Sequence, residues 1–369
     1  MTQAPYIVLA AGGTGGHMMP AEAVAEILVS EGCEVTLVTD TRGNKITNAM
    51  ADIDRTVLGA TSHMGGGFLG KLKSLVSILL SVFQVRKLFK KHRPSVVVGF
   101  GGYPSLPAVL AARSMGIQYV LHEQNAVLGR VNRFAAKKAA FVALSVDETQ
   151  RVAEGITTIV TGNPVRQLIA KMGNIAYAVP MGWGDIRVFV LGGSQGARIL
   201  SDVVPAAIAA LSQDCKERLD MVHQARLEDV ERVRGLYQQA GVKADVKPYF
   251  DDVSAVLLRT QLVISRSGAS TLSELTAMGR PAILVPLAIA ADDHQLANAR
   301  IVEKAGGGIV MLEDEFTAEA LTSKLKKLFG DTGDLRNWSD GMRTLARLDA
   351  AQNLAHAVIQ LCNNEGTSA

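Results

Sequence analysis

Cysteine is scarce: Cys33, Cys215 and Cys362 are three among 369 residues, odd in number and far apart. That excludes a disulfide framework and a cysteine-built metal site, and it suits a reducing compartment. The first residues carry no basic stretch followed by an apolar core of signal length, since Ile7 already opens a strand-like run; secretion is not expected. The charge-free run 94–112 holds Gly99, Gly101, Gly102, Pro104 and Pro107. A spanning helix tolerates such breakers poorly, and a buried strand followed by a turn explains them better. Acid is missing where base is plentiful. Between Arg55 and His122 there is no Asp or Glu against nine Lys or Arg, and Arg130, Arg133, Lys137 and Lys138 follow with Glu123 as the lone acid. The whole chain is only +3, so its positive charge is gathered in the first half. An anionic phospholipid surface, and no nucleic acid, is the expected neighbour.

Glycine is abundant, at 35 residues, and it is placed with a pattern. The apolar run 6–11 empties into Gly12-Gly13-Thr14-Gly15-Gly16-His17, and the run 187–191 into Gly192-Gly193-Ser194-Gln195-Gly196-Ala197. Each turn is followed by a helix-forming stretch. An α/β fold presents bare backbone amides and a helix N-terminus to an anionic ligand in this way. A chain of this length accommodates two domains. The expected fold is therefore α/β, two doubly wound Rossmann-like domains with parallel sheets facing a cleft, and a phosphate-bearing substrate. Continuous apolar strands such as Val96-Val97-Val98 favour sheets covered on both faces. The boundary should lie between Gly162-Asn163-Pro164 and the Gly/Pro-rich piece 173–184, giving domains 1–163 and 164–349. A helix near 350–362 should pack back on the first domain, and 363–369 read as a frayed tail.

Residues 71–92 form an amphipathic stretch. On a helix, Leu72, Leu75, Val76, Leu79, Leu80, Val82 and Phe83 fall on one side and Lys73, Ser74, Ser77, Ser81 and Gln84 on the other, with Arg86, Lys87, Lys90, Lys91 and Arg93 at the end. A core helix with a positive C-terminus is one reading. A membrane-surface patch, apolar residues inserted and a basic collar on lipid phosphates, is the other. The missing acids favour the membrane, because core packing does not require their absence.

Several turns carry candidate chemistry. Asp40 ends the second strand, where a nicotinamide site would hold a ribose, but the G-x-G-x-x-G spacing fails at Met18. His17 opens a helix, where the dipole favours a neutral, proton-accepting imidazole; it reads as a base, with a capping residue as the alternative. Gly99-Phe100-Gly101-Gly102-Tyr103-Pro104-Ser105 offers another set of donors or a tight packing turn. His122-Glu123-Gln124-Asn125 leaves a strand at the carboxyl edge, where such sheets bind ligands. The segment 265–274 starts a helix whose amides suit a diphosphate, with Glu274 placed to accept from a ribose diol or simply to sit near the positive dipole end. Asp292-Asp293-His294-Gln295 follows another strand. Asp52-Ile53-Asp54 follows no apolar strand and reads as solvated carboxylates rather than a metal pair.

These motifs, with Thr161-Gly162-Asn163-Pro164-Val165-Arg166, Arg266-Ser267-Gly268-Ala269 and Asp293-His294-Gln295, occur in one order along nearly the whole chain. Together they resemble the bacterial UDP-N-acetylglucosamine transferases that build lipid II (the MurG family, of GT-B type). The resemblance implies inverting transfer of GlcNAc from UDP-GlcNAc to the C4 hydroxyl of MurNAc in lipid I, undecaprenyl-diphospho-MurNAc-pentapeptide. It implies donor contacts at Thr14, Gly15, Gly16, Asn125, Arg166, Ser194, Ala269, Ser270, Thr271, Leu272, Ser273, Glu274 and Gln295, with the Phe250 backbone on the uracil. It implies acceptor contacts at Gly13, Gly101, Gly102, Tyr103 and His122, and His17 or its rival Glu123 as base. No cofactor and no bound metal are expected; the expected place is the cytoplasmic side of the plasma membrane, with cell-wall synthesis proteins as possible neighbours. The rivals are a nicotinamide-dependent oxidoreductase, a UDP-sugar 2-epimerase and a non-catalytic nucleotide-sugar-binding membrane subunit.

Overall fold

The computed structural model describes residues 4–13, 15–45, 53–59, 68–180, 184–193 and 196–365. They form two compact units: 1–166 joined by 347–369, and 167–346. Both are built from parallel strands alternating with helices.

Unit 1 begins β1 (Tyr6–Ala10), α1 (Gly15–Ser30), β2 (Glu34–Asp40), β3 (Asp54–Leu58) and α2 (Phe68–Lys91). It continues β4 (Val96–Gly99), α3 (Gly102–Ser114), β5 (Gln118–Glu123), α4 (Arg130–Ala136), β6 (Val142–Leu144) and β7 (Thr158–Val160). The seven strands lie in the order β3-β2-β1-β4-β5-β6-β7, all parallel. Alternation along each strand explains the unbroken apolar runs. Ile7 and Leu9 face one core layer, with Val24 and Leu28 of α1; Tyr6, Val8 and Ala10 face the other, with Val85, Phe89 and Val109 of α2 and α3. Both faces are covered, so no position of β1 is left for a polar residue.

Unit 2 runs α5 (Gln167–Met172), β8 (Ile186–Leu191), α6 (Arg198–Ala209), α7 (Gln213–Glu217), β9 (Leu219–Gln224), α8 (Val230–Gln239) and β10 (Lys243–Lys247). Next come α9 (Val253–Leu258), β11 (Leu262–Ser265), α10 (Ala269–Met278), β12 (Ala282–Leu284), α11 (His294–Lys304), β13 (Gly308–Val310), α12 (Ala318–Gly330) and α13 (Gly333–Thr344). Its six parallel strands lie in the order β10-β9-β8-β11-β12-β13. The chain then re-enters unit 1 as α14 (Ala350–Glu365), which packs on α1 and adds Ala351, Leu354, Ala355 and Val358 to the first core layer. The helix runs past residue 362 into the stretch expected to fray, while 366–369 lie outside the described residues.

In both sheets the strand order reverses beside the first strand, between β1 and β4 and between β8 and β11. Loops leaving the carboxyl ends of those neighbours diverge to opposite faces and open a crevice there. The glycine turns stand at these two places. Gly13 and Gly193 hold nearly the same left-handed backbone, φ 82° and 83°, which a side chain would resist.

The α2 helix does not pack by its larger apolar stripe, as the core-helix reading would require. Ser81, Val85 and Phe89, four residues apart, are the buried line. Leu75, Val76, Leu79, Leu80 and Phe83 are exposed, Phe83 by 68%. These five apolar side chains therefore do not join the core of unit 1.

Candidate functional site

The first glycine turn of unit 1 is held by its neighbour strand. Asp40, buried at the end of β2, accepts the Gly13 and Gly43 amides with one carboxylate oxygen, each at 2.8 Å, and the Arg42 guanidinium with the other at 3.2 Å. Burial alone would raise this carboxyl, but the two amides and Arg42 outweigh it and set its pKa below the ordinary carboxylate value. A carboxylate so occupied is a turn-holding group, which removes the main support for a nicotinamide site. Gly15, Gly16 and His17 form the first turn of α1. Thr14 lies outside the described residues.

Beside it, β4 empties into Gly101 and Gly102, both left-handed at φ 79° and 73°. His17 faces this turn: a Cβ placed on Gly102 would stand 3.1 Å from His17 Nε2, and one on Gly101 3.6 Å from His17 Cε1. Two glycines therefore keep open the space in front of the imidazole. Tyr103 follows, exposed in the first turn of α3.

The end of β5 completes this group. His17 Nδ1 lies 3.3 Å from Gln124 Oε1, and the Gln124 amide reaches the Phe100 carbonyl at 2.8 Å and His122 Nδ1 at 3.1 Å. His122 is fully buried with Nε2 3.2 Å from the Gly162 carbonyl. Burial lowers its pKa to about 4 despite that hydrogen bond, with the nearby His17 pushing the same way, so the ring is neutral. Its side chain reads as part of the scaffold rather than an acceptor contact.

Glu123 is buried and saturated. Oε1 accepts the Asn125 backbone amide and Asn125 Nδ2, each at 3.1 Å; Oε2 accepts Gly129 N and Asn132 Nδ2, each at 2.8 Å. A carboxylate with both oxygens engaged by fixed donors organises a loop and is poorly placed to abstract a proton. Asn132 of α4 was not legible as a site residue, because a lone Asn on a short helix carries no motif. It bridges His122 O and Glu123, while its buried Oδ1 has no hydrogen-bond partner among the described residues and stands 3.6 Å from a Cβ placed on Gly101. Arg166, the last residue of unit 1 before its C-terminal return, lies near Glu26 of α1, where burial raises the carboxyl and the arginine opposes that rise.

Unit 2 offers a second anion-facing end. Gly268 caps α10 without a side-chain bond, so the first amides of the helix point out of its N-terminus. Within 269–274, Leu272 differs from its neighbours: its side chain is buried and its amide donates to Gly268 O at 3.0 Å, so it supports the turn from the core side. Ser273 Oγ donates back to Ala269 O at 2.9 Å. Arg266 is spent on structure, paired with Glu313 at 2.5 Å and donating to the Val285 and Pro286 carbonyls. Gln295 braces the next loop, accepting Leu287 N at 3.0 Å, behind Asp292 and Asp293, two consecutive non-glycine residues at φ 58° and 55°. Such strain is retained where the surroundings over-determine it, commonly at ligand sites. The Phe250 ring is buried edge-on against Phe189, leaving its backbone as the group that could meet a ligand. Ser194 lies outside the described residues, as does Asp52; Asp54 is exposed at the start of the edge strand β3. Among the described residues no cluster of three or more His, Cys, Asp or Glu side chains could hold a metal ion.

Comparison with known proteins places this geometry. Residues 7–144 match the glycosyltransferase family 28 N-terminal domain and 187–354 the glycosyltransferase family 28 C-terminal domain. The chain is 45% identical over 353 residues to the UDP-N-acetylglucosamine–N-acetylmuramyl-(pentapeptide) pyrophosphoryl-undecaprenol N-acetylglucosamine transferase of Caulobacter vibrioides (strain NA1000 / CB15N), covering 95% of this chain and 97% of that one. The crystal structure of Acinetobacter baumannii MurG superposes with a TM-score of 0.78 at 28% identity, covering 96% and 99% of the two chains. A UDP-N-acetylglucosamine 2-epimerase from Listeria monocytogenes, described as putative, superposes at 0.69 with 15% identity over 96% of each chain, a likeness of fold alone. Two parallel-sheet units of GT-B type, the ordered glycine turns and identity along nearly the full length make this chain a member of the MurG family of glycosyltransferases.

Proposed function

We propose that the protein is an inverting glycosyltransferase that moves GlcNAc from UDP-GlcNAc to the C4 hydroxyl of MurNAc in undecaprenyl-diphospho-MurNAc-pentapeptide, forming lipid II. The acceptor oxygen attacks the anomeric carbon of GlcNAc as its proton passes to His17. The bond from that carbon to the UDP oxygen breaks on the opposite face, which gives a β-1,4 link and free UDP.

The observation that carries this reading is the setting of His17, with Nε2 turned to the Gly101–Gly102 turn at the strand-order reversal of unit 1. An acceptor sugar held by that turn brings its hydroxyl within reach of one base, and Glu123 is already committed to four donors. In unit 2 the amides at the start of α10 and the turn at Gly193 suit a nucleoside diphosphate. Charge developing on the departing UDP is taken by these fixed dipoles, a role for which the reading needs no resident metal. The relatives' shared activity supports the same assignment.

The protein works at the cytoplasmic surface of the plasma membrane. No helix among the described residues is long and apolar enough to cross a bilayer. The exposed Leu75, Val76, Leu79, Leu80 and Phe83, with Lys90 and Lys91 on the same helix, suit shallow insertion with a basic collar, where the lipid-linked acceptor resides.

The test is purified protein with labelled UDP-GlcNAc and a short-chain lipid I analogue. Labelled lipid product with UDP released, and little with UDP-GalNAc, is the expected outcome. Conversion of UDP-GlcNAc to its 2-epimer without acceptor, and no labelled lipid, would replace the reading with the epimerase.

A further inference from the structure

Two backbone carbonyls determine where every proton sits in the chain of polar groups behind His17. A carbonyl oxygen only accepts, so the Gln124 side-chain atom 2.8 Å from Phe100 O must be its NH2 group. The second hydrogen of that group points at His122 Nδ1, 3.1 Å away, which must therefore carry a lone pair. A neutral His122 then keeps its proton on Nε2 and donates it to Gly162 O at 3.2 Å. Burial and the resulting neutrality of the ring agree with that assignment. With its nitrogen so engaged, Gln124 presents Oε1 to His17 Nδ1 at 3.3 Å, and an amide oxygen can only accept. With both rings neutral, no other arrangement satisfies all four contacts: flipping the amide sets two acceptors, Oε1 and Phe100 O, against each other.

We propose that Gln124 and His122 are positioning residues that hold His17 as its Nδ1–H tautomer, so that Nε2, the nitrogen turned to the Gly101–Gly102 turn, is the basic one. A base must present its lone pair to the proton it abstracts, and an imidazole in the other tautomer would present an N–H there instead. The hydrogen bond made by one ring nitrogen sets the role of the other, as a carboxylate or carbonyl behind a metal-bound histidine does. The relay ends on Gly162, in the last stretch of unit 1 before residue 167 opens unit 2. The idea rests on His17 being the base of the transfer, yet the tautomer can be measured without turnover.

The experiment uses the full chain labelled with 15N at histidine, whose nitrogens separate into protonated pyrrole-type and bare pyridine-type resonances; H17A identifies the His17 signals. Expected in the wild type is a pyrrole-type Nδ1 and a pyridine-type Nε2 at His17. In Q124M, which fills the space without polar atoms, His17 becomes a mixture of tautomers. There kcat for lipid product falls about tenfold while KM for UDP-GlcNAc stays within about twofold. A pyrrole-type Nε2 at His17 in the wild type would overturn the proposal, as would Q124M with tautomer and kcat both unchanged. Should Q124M fail to fold in a thermal melt, the wild-type spectrum decides by itself. Undiminished turnover in H17A would remove the base assignment alone, leaving the tautomer to be judged from its own spectrum.

Discussion

Asp40, at the end of β2, and Gly13, in the turn that leaves the neighbouring β1, are joined by a 2.8 Å hydrogen bond from the glycine amide to the carboxylate, which also accepts Gly43. The first glycine turn thus owes its shape to a carboxylate on the next strand as well as to its own sequence. Asp40→Ala leaves the buried Gly43 amide without its acceptor and should cost about 2 kcal/mol in urea unfolding. Turnover should fall with it, because the turn preceding His17 loses its anchor. Asp40→Asn keeps an accepting oxygen and should lose less on both counts.

Gly102→Ala separates space from stability. The residue sits at φ 73°, where an alanine is strained by about 1–2 kcal/mol, and its Cβ would stand 3.1 Å from His17 Nε2. Urea unfolding should show a loss of that size, while kcat/KM for the lipid acceptor should fall about a hundredfold or more. A variant that loses stability but keeps turnover would place the acceptor hydroxyl elsewhere.

Acid should destabilise the fold through two buried histidines, one in each unit. Burial lowers the pKa of His122 to about 4 and that of His223 to about 3, the nearby Arg232 adding to the effect at His223. Both pKa values lie below the unfolded value of about 6.5, so over the interval between them the unfolded chain binds more protons than the folded one. Stability from keeping these rings neutral is fully present above pH 6.5 and is lost as pH falls towards 4. The lowering at His122 corresponds to about 3 kcal/mol. Urea midpoints measured from pH 7 to pH 4.5 should decline with a slope approaching two protons in the lower half. His223→Phe should reduce that slope towards one, even though the Tyr237 hydroxyl, 2.9 Å from His223 Nδ1, loses its partner.

The exposed face of α2 gives a prediction about location. Replacing Leu79, Leu80 and Phe83 with serine removes three side chains of about 1.5–3 kcal/mol each from the inserted surface. Sedimentation with anionic phospholipid vesicles should weaken by at least about a hundredfold. Turnover of a water-soluble acceptor analogue should be nearly unchanged, because these residues are exposed and carry little of the core. Equal vesicle binding by the variant would assign the face another role.

Much of this architecture can be read from the chain because backbone geometry imposes it. Positive φ at Gly13 and Gly193 demands glycine, and strands buried on both faces demand unbroken apolar runs, so both switch points carry visible marks. Edge strands carry none. The Lys243–Lys247 strand alternates charge and apolar residue, and Thr158–Val160 is short and exposed; neither announces itself. Periodicity gave a helix over α2 but not its inward side, which follows Ser81, Val85 and Phe89 against the neighbouring helix rather than the larger apolar stripe. Side-chain roles were the least legible. Asp40 holding a turn, Glu123 saturated by four donors and Asn132 beside Gly101 are all tertiary relationships, and no local spacing encodes them.

The return of α14 to unit 1 has a consequence for synthesis. Ala351, Leu354, Ala355 and Val358 complete a hydrophobic layer begun by Ile7 and Leu9, yet the ribosome adds them only after all of unit 2. The later-made unit can close its own core while the earlier one still waits for its final wall. During that interval apolar surface around α1 stays open to solvent and to chaperones. A nascent chain stalled before residue 350 should therefore be cut by protease in its first half sooner than in its second.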